Sequence, residues 1–239
     1  YSLIPLADES SGGTLIERVV IFRKQFAMDM GMVFPSVRMT DNQHINPNQY
    51  VIKVKGEIVA HAEILMDHYL ALDSGSVTRE IDGIDTVEPA FNIPAKWIPE
   101  QDKLRAEIAG YTLIDPTSVI ITHLSEIIKN YAHELLSRQD VKTMLDKLRQ
   151  TNAAVVDDIV PNIVSPAYLQ KVLCLLLKEG VPIRDLQTIL ETIADNQYNM
   201  KDVDITTEYV RQALKRTITR RFSDGGQIRV LTLDTETEN

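Results

Sequence analysis

From Asp115 onward the apolar residues recur at helical spacing almost without a break, whereas the chain before it changes pattern every few residues. In "DPTSVIITHLSEIIKNYAHELLS", Asp115 is placed to cap a helix and Pro116 to start it, where a missing backbone N–H costs nothing. Val119, Leu124, Ile127, Ile128, Tyr131 and Leu135 then carry one apolar face to about Ser137. A second helix is predicted through Val141, Met144, Leu145 and Leu148. Ser165 and Pro166 open a third, through Leu169, Val172, Leu173 and Leu176, that stops at Gly180. Pro182 is expected to open a fourth with Ile183, Leu186, Leu190 and Ile193, and a fifth spans about 205–222. "QIRVLTLD" at 227–234 reads as a lone strand. A lone strand buries no face, so either it joins the earlier sheet or a further domain begins there.

The first half mixes elements. Leu15, Val19, Phe22, Phe26 and Met30 form a helical stripe closed by Gly31. "YVIKVKGEIVAHAEI" reads as two strands about a Lys-Gly-Glu turn, with Ile52 and Val54 on one face and Ile58, Ala60, Ala62 and Ile64 on another. "HYLALD" and "YTLID" are short strands, and "EQDKLRAEIAG" between them is a brief helix. "DTVEPAFNIPAKWIP", residues 85–99, holds Glu88, Phe91 and Trp97 between and beside prolines. Pro89 and Pro94 lack backbone donors and fix φ, so this stretch is expected to be a stiff, ordered loop. A phenylalanine there either plugs the local core or lines an apolar pocket that admits a partner's side chain. Periodicity does not choose between the two.

Length and charge exclude some functions. At 239 residues the chain is expected to form two or three subdomains, and no apolar run approaches the ~20 residues of a membrane span. The first residues do not read as a signal peptide. Cys174 is the one cysteine, set among leucines as a small buried hydrophobe, so no intrachain disulfide forms and a reducing compartment fits. A formal charge of −9 argues against general nucleic-acid binding. Residues 67–115 carry ten acidic and four basic side chains, either a solvated face or a surface that steers a basic partner.

No catalytic constellation emerges. The Gly12-Gly13 and Gly225-Gly226 pairs lack the spacing of a phosphate-binding loop. His123 and Glu126 share a helix with His133, but a metal needs more converging ligands, and a surface contact is the simpler reading. Asp157-Asp158 reads as a solvated turn. Arg211, Lys215, Arg216, Arg220 and Arg221 could dock an acidic surface or simply line a wet helix. Nothing pairs a nucleophile with a base, so a binding protein is expected, with no enzymatic activity, cofactor or metal.

Longer blocks carry a resemblance. "RKQFAMDMG", "RMTDNQHINPNQYVIKVKG", "VEPAFNIPAKWI", "GYTLIDPTSVIITHL", "LLSRQDVKTMLDKL" and "KVLCLLLKEGVPIRDLQTILETIAD" look like the cytoplasmic domain of the flagellar export-gate family, the large membrane-anchored component of type III export. Injectisome counterparts share the pattern, and the flagellar branch fits better. The resemblance covers nearly the whole chain and implies an α+β fold of several subdomains. A split α/β first subdomain would take residues 1–66 and 116–135, with a small α/β second subdomain inserted at 67–115. An all-helical third would span 136–215, and a truncated α/β fourth would begin at 216, explaining the lone strand.

The resemblance also implies a docking platform for export chaperones carrying late flagellar subunits. It would work beside the export switch protein and the ATPase complex, in a homo-oligomeric, nonameric ring under the secretion pore. The protein would sit at the inner membrane, with its transmembrane helices upstream of this cytoplasmic part. Chaperones bind the family in an apolar dimple between the first two subdomains. Carried over by motif, Phe91 lies in the dimple with Leu72, Pro89, Ile93, Ile114 and Val119, and Glu88 and Thr122 stand at its polar edge. Glu88 replaces a frequent aspartate and Asn92 a frequent glycine; asparagine tolerates the positive φ such a turn would need. Two other readings remain: a helical adaptor acting through 205–222, and a hydrolase using His123 or His133.

Overall fold

A computed structural model describes residues 2–199, 201–228 and 230. Chain contacts divide it into two units, Tyr1–Ala27 with Val33–Tyr131, and Met28–Met32 with Ala132–Asn239.

In the first unit a single helical turn, α1 (Ile4–Ala7), precedes α2 (Leu15–Met30). Leu15, Val19 and Phe26 are buried along the expected stripe, and the rings of Phe22, Phe26 and Phe34 meet at centroid distances of 5.3–6.0 Å. β1 (Gln49–Val54) and β2 (Glu57–Glu63) form an antiparallel hairpin. Lys55 and Gly56 both take positive φ at its turn, which matches the twist of the two strands. A register shift between Ile52 and Lys53 leaves Ile58 59% exposed, off the buried face expected for it.

β3 (His68–Leu72), β4 (Ile84–Glu88), β5 (Ile93–Pro99) and β6 (Thr112–Ile114) make a second sheet in the order β4-β5-β3-β6, antiparallel throughout. The stiff loop expected at 85–99 is therefore two strands and a tight turn. Its prolines are tolerated because each sits where β5 has one neighbour. Pro94 pairs with Val87 beyond the end of β3, and Pro99 pairs with His68 beyond the end of β4, so neither breaks a doubly bonded ladder. Helix α3 (Lys103–Ile108) covers one face, where Ala71, Ile81, Ile98, Ala106 and Ala109 are buried with Tyr69, Tyr111 and Leu113 against them. α4 (Pro116–Leu135) follows β6 after one residue. Asp115 caps it, accepting from the Ser118 N–H at 3.0 Å and the Ser118 hydroxyl at 2.5 Å.

The second unit is helical: α5 (Arg138–Thr151), α6 (Ala153–Ile159), α7 (Pro166–Lys178), α8 (Leu186–Asp195), α9 (Val203–Ala213) and α10 (Lys215–Phe222). α7 is its centre, with Leu169, Val172, Leu173 and Leu176 fully buried against α5 and α9. Ser137 caps α5 reciprocally with Asp140, which ends α4 at Leu135, before the expected Ser137.

Four expectations change here. Pro182 does not open α8, because the Ile183 N–H is spent on the Met30 carbonyl at 2.8 Å and Asp185 supplies the cap instead. Asp157 and Asp158 lie in α6 rather than in a turn, with Asp157 held 2.8 Å from the Arg149 guanidinium. The expected single helix at 205–222 breaks at Leu214 into α9 and α10. Cys174 is half-buried, one step off the innermost face of α7. The expected strand at 227–234 falls largely outside the described residues.

Gly31 closes α2 at φ 81°, and a Cβ there would meet the Arg184 backbone at 2.4 Å. Gly31→Ala thus meets both a disfavoured φ and a backbone clash. It is expected to destabilise the chain by more than about 1 kcal/mol, read as a lower urea midpoint at unchanged slope.

Candidate functional site

Glu88 ends β4 and Ile93 begins β5, leaving Pro89, Ala90, Phe91 and Asn92 as a four-residue turn. Asn92 closes it at φ 56°, the conformation anticipated for this asparagine, and its N–H returns to the Glu88 carbonyl at 2.9 Å. The turn would still strand two amide donors at its tip. The Glu88 carboxylate takes both, one oxygen accepting from Ala90 N–H at 3.1 Å and from Phe91 N–H at 2.8 Å. Glu88 is only 2% exposed, while Phe91 is 56% exposed and Ile93 40%. The phenylalanine is displayed, not buried as a core plug. Glu88 in turn supports the tip from within: the residue expected at the polar edge is buried, with its carboxylate turned to the turn's own amides.

Strand register sets the rest. Cross-strand partners share a face, so Glu88 with Ile93, Ala95 with Leu72, and Trp97 with Leu70 and Ile114 all lie on the side of the sheet opposite α3. Of the expected lining residues, Leu72, Ile93 and Ile114 are therefore on one face, with Pro89 and Phe91 at its tip. Leu72, Pro89 and Ile114 are half-buried. Val119 and Thr122 share a face of α4, but Val119 is 1% exposed and belongs to the core, whereas Thr122 is half-buried.

Beside Thr122, sequence reasoning missed a polar contact. His123 is buried, and its Nδ1 lies 2.7 Å from the Tyr50 hydroxyl of β1. Burial pushes the His123 imidazole below its ordinary value, the Glu88 charge opposes that, and His61 adds to it. Burial, with a smaller push from Glu88, drives the Tyr50 phenol up. Both groups feel the Glu88 carboxylate. The available signal was weak: His123 stands four residues after Val119, on an apolar helix face. Nearby, Arg18 donates to the Ser118 hydroxyl at 2.6 Å and lies 3.4 Å from Asp115. Burial alone would raise Asp115, but the Ser118 hydroxyl and amide and the Arg18 guanidinium together hold it below the usual carboxylate range.

The other candidates are placed elsewhere. Glu126 pairs with Lys129, and His133 has a buried Nδ1 with no hydrogen-bond partner among the described residues. No three His, Cys, Asp or Glu side chains converge as a metal site among the described residues. Arg211 is held by Glu179 and Glu208, which removes it from the free cations of the basic helix. No described helix is long and apolar enough to cross a membrane.

The candidate site is thus an exposed aromatic on a braced hairpin, backed by a partly apolar sheet face. The chain belongs to the FHIPEP family, whose model matches residues 1–239. It is 47% identical to the flagellar biosynthesis protein FlhA of Bacillus subtilis over 228 residues, 95% of this chain and 34% of that protein. The chain thus spans about a third of the curated relatives it matches. Among solved structures, Chlamydia pneumoniae CdsV aligns with a TM-score of 0.81 at 27% identity, covering 96% of this chain and 67% of CdsV. CdsV in its complex with CdsO aligns at 0.77 and 25%, covering 89% and 62%. The nonameric SctV-C of EPEC aligns at 0.68 and 23%, over 89% and 64%, and shares the fold.

Two outcomes follow from Glu88 and His123. Glu88→Ala should cost about 1.5–3 kcal/mol in urea unfolding, because two tip amides lose a charged acceptor. In the folded state His123 resists protonation, while the unfolded chain takes that proton near pH 6.5. Its contribution to stability is therefore complete above about pH 6.5 and declines as pH falls below it. His123→Gln should shrink the stability difference between pH 7.5 and 5.5. Glu88→Gln should lower the His123 pKa further, as read by ring-proton NMR.

Proposed function

We propose that this chain is part of the cytoplasmic domain of a flagellar export gate. It docks export chaperones with their bound late subunits and passes them toward the secretion pore, recognising them without catalysis. The observation that carries this is Phe91, a large apolar ring held in solvent by a carboxylate that is itself buried. Exposing such a ring costs free energy in the unbound state, and a preformed tip spares ordering cost when a partner covers it. The chaperone would present an apolar side chain to Phe91 and Ile93, with Leu72 and Ile114 beneath and Thr122 as the polar contact. The subdomain division at 67–115, 136–215 and 216 onward is part of the same proposal. So are ring assembly, contacts with the export switch protein and the ATPase complex, and a place at the inner membrane.

The 47% identity to a flagellar protein supports the flagellar branch over the injectisome branch. Calorimetry with a flagellar filament-type chaperone–subunit complex tests the reading. Phe91→Ala should weaken binding ~30-fold, the loss of about 2 kcal/mol from a central aromatic anchor, with an unchanged circular dichroism spectrum. Equal binding by parent and variant would place the partner on another surface.

A further inference from the structure

On the other side of the four-stranded sheet, α3 and the chain at 78–81 enclose a groove of about 350 Å³. Ile81 and Ala109 form its buried floor. Leu104 and Ile108, one turn apart on α3, rise along it 68% and 77% exposed. Nothing in the packing of the sheet calls for these two side chains to be aliphatic. The α3 residue turned inward is Ala106, which is fully buried.

The groove is built and fixed. The Thr78 N–H and hydroxyl both donate to the Ala109 carbonyl, at 2.9 and 3.3 Å, and the Ser76 hydroxyl reaches the Gly110 carbonyl at 3.2 Å. Gly110 takes φ 93°, and a Cβ there would lie 2.5 Å from the Ser76 carbonyl oxygen, so only glycine lets the two walls come this close. At the other end the Lys96 ammonium holds the Ile81 carbonyl at 3.3 Å and the Glu80 carboxylate at 2.9 Å. An apolar slot clamped at both ends is ready for an occupant without rearrangement.

Charge says what kind. Residues 67–115 contain two arginines, Arg79 and Arg105, and both line this groove. Neither enters a salt bridge among the described residues, although acidic side chains outnumber basic ones in this segment. Lys96 shows the contrast, since it is occupied by Glu80 and Asp85. Guanidinium groups left open beside an aliphatic slot match carboxylates by their planar fork.

We propose that the groove between α3 and residues 78–81 docks an acidic amphipathic segment of a partner protein. Aliphatic side chains of that segment lie against Leu104 and Ile108 over Ile81, and its flanking carboxylates bind Arg79 and Arg105. This surface is distinct from the Phe91 tip, which lies on the opposite side and at the far end of the hairpin.

The test is fluorescence anisotropy with a labelled helical peptide that carries leucines at i and i+4 bordered by glutamates. Two control peptides replace the glutamates by lysine or the leucines by serine. Both aliphatic residues and both arginines reach the surface, so their substitution leaves the core intact, and circular dichroism checks it. The parent should bind the acidic leucine peptide and neither control. The double variant Leu104→Ser, Ile108→Ser should weaken binding tenfold or more, on the order expected for losing interface anchors. Arg79→Glu with Arg105→Glu should turn the preference to the lysine peptide, and Phe91→Ala should bind as the parent does. No binding of the acidic peptide, or equal binding by all variants, overturns the proposal. Equal binding of the serine control also overturns it, since the arginines would then be a plain anion site. A loss with Phe91→Ala overturns it as well, because the peptide would be reading the hairpin tip.

Discussion

The Glu88 carboxylate organises the candidate site. A four-residue turn between β4 and β5 leaves two amides that neither strand can satisfy, and one buried oxygen satisfies both. A charge sunk to 2% exposure is tolerable only with such donors around it. Those bonds fix the backbone of Phe91, so the ring projects outward instead of collapsing onto the sheet. The same charge reaches His123 and Tyr50, so the hairpin, β1 and α4 share one electrostatic environment. Removing it would disturb the tip and the histidine together.

A second constraint is the placement of prolines within β5. A central strand cannot normally spare an N–H, but Pro94 and Pro99 occupy the two ends where pairing is one-sided. The strand is thereby bounded in both directions. Its pairing cannot lengthen without putting a proline into a doubly bonded position, which fixes where the turn falls and hence which residue stands at its tip.

Much of this was legible in the chain, and the exceptions have physical causes. Most helices after Asp115 announced themselves through capping residues and apolar period, because α5, α7, α8 and α9 each bury one face. The break at Leu214 was hidden, since apolar and basic residues continue at helical spacing on both sides of it. Residues 85–99 depart from the expected loop because the cost of a proline depends on how many neighbours the strand has at that point. The motif singles out Glu88 and Phe91 together but carries no signal of which is exposed. Burial was decided by the two amide bonds, and hydrogen bonds between a side chain and its own turn leave no periodic trace. His123 stayed ambiguous for a similar reason, as its partner Tyr50 lies 73 residues away.

The sheet order has a mechanical meaning. β3, where the chain enters the four-stranded sheet, lies beside β6, where it leaves, so entry and exit share one edge. β4 and the turn bearing Phe91 form the opposite edge, two strands from β3 and roughly 10 Å away. The sheet is hung like a door on its β3–β6 side, and the phenylalanine sits by the handle. Any rocking about that side would move β4 and the adjoining turn through larger arcs than β3 or β6.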